Sequence, residues 1–117
     1  MLFEERFLLA LALTITIETI VLLALARFFL KKEKLETKAV VFAGFLASFS
    51  TLPYLWFVLP PFVDSSHYII IGETIAVAIE SVIIRQMLKI GIKKALVASI
   101  ACNAVSFFFG QLAFKLV

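Results

Sequence analysis

Glu73 and Glu80 stand seven residues apart inside an apolar run from Ile69 to Ile84. Seven residues is close to two helical turns, so a helical run puts both carboxyls on one face. A third acid, Glu18, interrupts an earlier apolar run. Carboxyls inside membrane-spanning segments are costly and mark ion or proton pathways by default. No Lys or Arg shares their depth, because Arg27 and Arg85 stand near run ends, from which long side chains snorkel outward. An acid without a counter-ion is expected to keep its proton until a cation arrives, and proton or cation movement needs such a group.

Depth sharpens the roles. Glu18 follows Phe7 by eleven residues and Glu80 follows Tyr68 by twelve. At the helical rise each lies roughly 16–18 Å into its run, near the middle of a bilayer, whereas Glu73 lies only about 7–8 Å in. Asn103 and Ser106 enter from the opposite end of the last run and reach a similar depth. The expectation is therefore a transport or ion-binding set with Glu80 at its centre and Glu73 as an outer relay. Glu18 is its counterpart, and Asn103 or Ser106 hydrogen-bonds Glu80. Oxygen donors alone suit a proton or a hard cation better than a soft metal. No particular metal is assigned. In the competing reading the same acids, protonated, glue helices together through hydrogen bonds of roughly 0.6 kcal/mol each.

No catalytic residues are assigned. The chain has no Ser/His/Asp set at one depth, no HExxH, no phosphate-cradling Gly loop and no CxxC. Glu73 and Glu80 would be about 10 Å apart along one helix, too far to share a proton without a partner from another helix or subunit. No cofactor motif is present. The single Cys102 has no intrachain disulfide partner, and Asp64 with His67 makes a poor two-ligand metal site.

The elements that must position these residues are apolar runs. The 117 residues are 63% hydrophobic with a mean hydropathy of +1.12. A soluble domain of this size could not bury that much apolar surface, so the lipid bilayer is the expected solvent. Runs extend over Phe7–Leu30, Ala39–Leu59, Tyr68–Leu88 and Ala95–Val117. Each is long enough to cross a hydrocarbon core that needs roughly 20 helical residues. The expected fold is all-α, a polytopic membrane protein of four transmembrane helices forming one domain over residues 1–117. One hairpin covers about 7–59 and the other about 68–117. The first run is too long, and lacks a clear cleavage site, for a signal peptide. Gly91 is expected to end the third helix, and Ser65 or Ser66 to cap its start. Pro53 is expected to kink the second helix by freeing the carbonyl of Phe49.

Charge sets the expected orientation. Nine of the eleven bases flank the two short turns: Arg27, Lys31, Lys32, Lys34 and Lys38 at one, Arg85, Lys89, Lys93 and Lys94 at the other. The positive-inside rule places both turns in the cytoplasm and both termini outside a cell membrane. Trp56, Tyr54 and Tyr68 then fall at the outer interface. The net charge of +3 belongs to these turns, so nucleic acid is not an expected partner.

The halves echo each other. Ile17-Glu18-Thr19-Ile20-Val21 parallels Ile79-Glu80-Ser81-Val82-Ile83, and Thr37-Lys38-Ala39 parallels Lys93-Lys94-Ala95. Ala39, Ala43, Ala47, Ser50 and Tyr54 then correspond to Ala95, Ser99, Asn103, Ser106 and Gly110. Each half reads as a hairpin with a mid-membrane Glu on one helix and a small-residue seam on the next, both halves running the same way. Four helices make a narrow bundle, so a homo-oligomer is expected, and a larger membrane partner is the alternative if the chain is an assembly subunit.

The pattern of Glu73 and Glu80, then Lys94-Ala95-Leu96, Asn103, Ser106 and Gly110, resembles small four-helix prokaryotic integral membrane proteins of uncharacterised function. Ser50-Thr51-Leu52-Pro53 resembles the Thr-Pro element of their first hairpin. The resemblance implies a four-helix architecture and a prokaryotic origin, and it implies no activity.

Overall fold

The computed structural model describes residues 2–58 and 67–116. Among them the chain is all-helical, and the helices follow the apolar runs closely. Helix α1 spans Phe3–Phe28, α2 Thr37–Pro53, α3 Tyr68–Leu88 and α4 Ile92–Leu116. The third run matches its helix end for end. The others begin two to four residues earlier than apolarity alone indicates, because a helix carries polar residues in its first turn at little cost.

Each helix packs chiefly on two neighbours: α1 on α2 and α4, and α3 on α2 and α4. The bundle is 42 Å along its longest axis, close to the thickness of a whole bilayer. Among the described residues, three segments are long and apolar enough to cross a membrane: Phe3–Phe28, Thr37–Val58 and Ile92–Ala113. Helix α3 is 21 residues long and carries Glu73, Glu80 and Arg85.

The larger apolar cluster fills the half of the bundle near the basic turns, and a smaller one of Leu55 and Ala76, with Trp56, Tyr68 and Ile75, lies in the other half. Leu22, Leu30, Val40, Ala43, Ile84, Leu88, Ala95, Ala98 and Cys102 close in beside the two basic turns. Leu30 and Ile90 fold back from the turns into this cluster. The turns are also clamped from outside, where Lys94 donates to Glu33 in an ion pair. Each turn reverses through a lysine in the left-handed region, Lys34 at φ 52° and Lys89 at φ 54°. The expected helix-ending Gly91 does not have a positive φ. Lys89 makes the turn instead, and Gly91 offers its carbonyl to the N–H of Ala95 in the first turn of α4.

Helices α1 and α2 touch most closely at Gly44. A Cβ there would lie 2.7 Å from Thr19 Oγ1 and 3.1 Å from Thr19 Cα, so only glycine permits this approach. After Pro53, which cannot donate to Phe49, the chain passes into a π-helical turn over Tyr54–Val58. Phe7 packs edge-on to Phe57 at 4.7 Å and to Trp56 at 5.8 Å, tying this turn to α1. The Tyr68 hydroxyl donates to the carbonyl of Leu55, tying it to α3. His67 stands at the N-cap of α3; Ser65 and Ser66, and the Pro60-Pro61 pair, lie outside the described residues.

Candidate functional site

The half of the bundle away from the basic turns holds a cavity of about 680 Å³ beside the smaller Leu55–Ala76 cluster. Its lining comes from the start of α1, the end of α2 and its π turn, the start of α3, and α4 from Asn103 to Gln111. The cavity therefore lies away from the basic turns, and the core cluster closes it on that side. All five expected site residues, Glu18, Glu73, Glu80, Asn103 and Ser106, line it.

Glu18 and Glu80 are nearly fully buried, at 3% and 1% exposure. Glu18 is held from two sides. Ser48 of α2 donates to its Oε1 at 3.2 Å, and Ser106 of α4 donates to its Oε2 at 2.7 Å. Cys102 adds a contact from its thiol to the Glu18 backbone carbonyl at 3.6 Å. One acid on α1 thus ties its helix to both α2 and α4.

Glu80 meets a different donor. Thr51 Oγ1 lies 3.0 Å from Glu80 Oε2 and 3.0 Å from the carbonyl of Ala47. A hydroxyl has a single proton, and a backbone carbonyl only accepts. If Thr51 donates to Ala47, the contact with Glu80 requires a proton on Glu80. If Thr51 turns to Glu80, that carboxyl can be bare. The other oxygen, Oε1, is buried and has no hydrogen-bond partner among the described residues.

Glu18 of α1 lies beside Glu80 of α3, close enough for the two acids to interact electrostatically, and both line the cavity. The second acid near Glu80 therefore comes from α1 and not from Glu73 on its own helix. Glu73 stands in the cavity wall, half-buried, on the same face of α3 as Glu80.

Asn103 and Ser106 both reach the site. Ser106 serves Glu18 rather than Glu80. The Asn103 amide flanks Glu80 and donates to the carbonyl of Ser99 at 2.9 Å, while Ser99 donates across to the carbonyl of Val77 at 2.9 Å. The α4 seam of Ala95, Ser99, Asn103 and Ser106 is buried as its spacing indicates. Its proposed counterpart on α2 is rotated: Ser50 and Tyr54 are exposed, and the inward face is Val40, Ala43, Gly44, Ala47, Ser48 and Thr51.

Ser48 and Thr51 are the site residues that sequence reasoning missed. A signal was present in Gly44-Phe45-Leu46-Ala47-Ser48, a pair of small residues four apart of the kind that lets helices approach. That approach, with Thr51 one turn further on, fixes which face of α2 turns inward. No group of three or more His, Cys, Asp or Glu side chains gathers closely enough to hold a metal ion among the described residues. Comparison of the chain with protein-family models, characterised proteins and solved structures yields no match.

Proposed function

We propose that this chain is a small integral membrane transport protein that moves a proton or a cation through Glu18 and Glu80. The observation that carries the reading is the meeting of two buried acids from different helices at the closed end of a cavity. A bare pair of carboxyls would repel, and a singly protonated pair is held by its shared proton. Such a pair releases its proton when a cation replaces it. The Thr51 hydroxyl, which can face Ala47 or Glu80, accommodates both states without moving a helix. Glu73, higher in the same wall, serves as a relay toward the cavity's outer part. Asn103 and Ser106 supply neutral ligands.

In this reading all four helices cross the membrane, as two same-direction hairpins. The outward face of α3 supports its inclusion, since Ile70 is 69% and Val82 is 53% exposed and lipid suits both. The basic turns and the closed half of the bundle face the cytoplasm, and the cavity faces outward with both termini. A second copy of the chain would complete a pathway that one narrow bundle blocks with its own core.

Reconstitution into liposomes tests this. Wild-type protein is expected to carry protons or a counter-cation across the bilayer, and Glu80→Gln to abolish the flux while preserving the oligomer. No flux of protons or common cations from folded wild-type protein would remove the transport reading. A second reading, a non-transporting assembly subunit, is favoured by the way Ser48 and Ser106 both anchor Glu18. It predicts that Glu18→Gln and Glu80→Gln break the assembly or its docking to a larger membrane partner.

A further inference from the structure

The cavity is far larger than a proton or a bare ion needs. A water molecule takes about 30 Å³ in the liquid, and pockets of about 300–1,000 Å³ hold small organic molecules. Its walls are also unlike those of an inorganic-ion site. Phe3, Leu55, Trp56, Tyr68 and Phe107 supply apolar and aromatic surface, and the charge is confined to carboxyls. At its inner end, Glu80 is 1% exposed, lines the cavity and has a buried oxygen without a hydrogen-bond partner among the described residues. A buried acceptor left in this state favours a ligand that brings an N–H donor. A positive charge on that donor would compensate the carboxyl pair.

We propose that the cavity binds a primary ammonium ion carried on an apolar body, with an N–H directed at the Glu80 carboxyl and the body against the aromatic wall. The assignment names the cargo class for the transport reading and rests on that reading for movement. Binding itself follows from the cavity and the orphaned oxygen alone. Trp56, the single tryptophan, lines the cavity and reports occupancy by its fluorescence.

The test titrates detergent-solubilised full-length protein with 4-phenylbutylammonium, its N-trimethylated analogue and neutral 4-phenylbutanol, with empty micelles subtracted. The primary ammonium is expected to saturate the Trp56 signal. The trimethylated ion, which has no N–H, and the alcohol, which has no charge, are each expected to bind about tenfold or more weakly, the loss set by one charge-assisted hydrogen bond. Glu80→Gln is expected to weaken the ammonium by a similar factor. Gly110→Phe gives a second variant that leaves the acids untouched, since open space lies around a Cβ at Gly110 and the position lines the cavity. It is expected to block all three compounds. Equal binding of the alcohol or of the trimethylated ion overturns the proposal, as does the absence of saturable ammonium binding to folded wild-type protein. Binding without liposome flux would remove the transport reading and leave this site standing. Proton flux without ammonium binding would do the reverse.

Discussion

Ser106 of α4 donates its hydroxyl to Glu18 of α1 at 2.7 Å, inside a membrane-scale bundle and across the interface between the first and last helices. This bond joins the two ends of the chain at the level where the apolar core stops and the cavity begins. It makes Glu18 a structural tie as well as half of a carboxyl pair. Ser106→Ala and Glu18→Gln are expected to couple in a double-mutant cycle by about 1 kcal/mol, within the range measured for hydrogen bonds between membrane helices. Ser106 and Thr51, which serve different carboxyls, are expected to couple less. Thermal unfolding in detergent micelles measures both, and a larger Ser106–Thr51 coupling would show that the two carboxyls do not divide their donors as described.

Gly44 is expected to resist substitution. The Cβ of Gly44→Ala would meet both the side chain and the backbone of Thr19, so rotation of the threonine alone does not relieve it. Overpacking of this kind costs about 1–3 kcal/mol. Thr19→Val should behave oppositely: Thr19 Oγ1 is buried without a partner, and an isosteric apolar side chain removes that deficit. Unfolding temperatures of the two variants are expected to move in opposite directions.

The turns offer a third check. Lys89 occupies the left-handed region at the end of α3, where an L side chain is strained and glycine is not. Lys89→Gly is expected to stabilise the fold by up to about 1 kcal/mol, less what glycine gains in the unfolded chain. Gly91→Ala should be tolerated, because its φ is not positive and nothing lies near a Cβ there. If Gly91→Ala is the destabilising change, the reversal lies at Gly91 after all.

Orientation can be read with a thiol label. Cys102 is buried at 2% exposure, and Lys31 is exposed at the first basic turn. In a Cys102→Ala background, Lys31→Cys is expected to react with a membrane-impermeant maleimide only after cells are permeabilised. Labelling in intact cells would invert the proposed topology.

The helices were legible because apolar run length and the bases between runs are properties of composition along the chain. The positions of Glu18 and Glu80 along their helices were legible for the same reason, since rise per residue fixes them once the helix bounds are known. Donor identity was not. Neighbouring residues differ by about 100° around a helix, so the exposed Ser50 and the buried Thr51 have unrelated surroundings. Which of them turns inward depends on how Gly44 seats on Thr19, a contact between helices that internal similarity of the two halves does not encode. The Glu33–Lys94 pair was hidden likewise, because it joins turns brought together only by bundle closure.

The most direct test of the carboxyl pair is infrared difference spectroscopy on the reconstituted protein, read at the carbonyl stretch of protonated carboxyls. Glu18 and Glu80 sharing one proton should give a band that shifts on transfer to D₂O and disappears in Glu80→Gln, with Glu18→Gln also changing it. Absence of that band from the wild type, or its persistence unchanged in both variants, would contradict a shared proton at the base of the cavity.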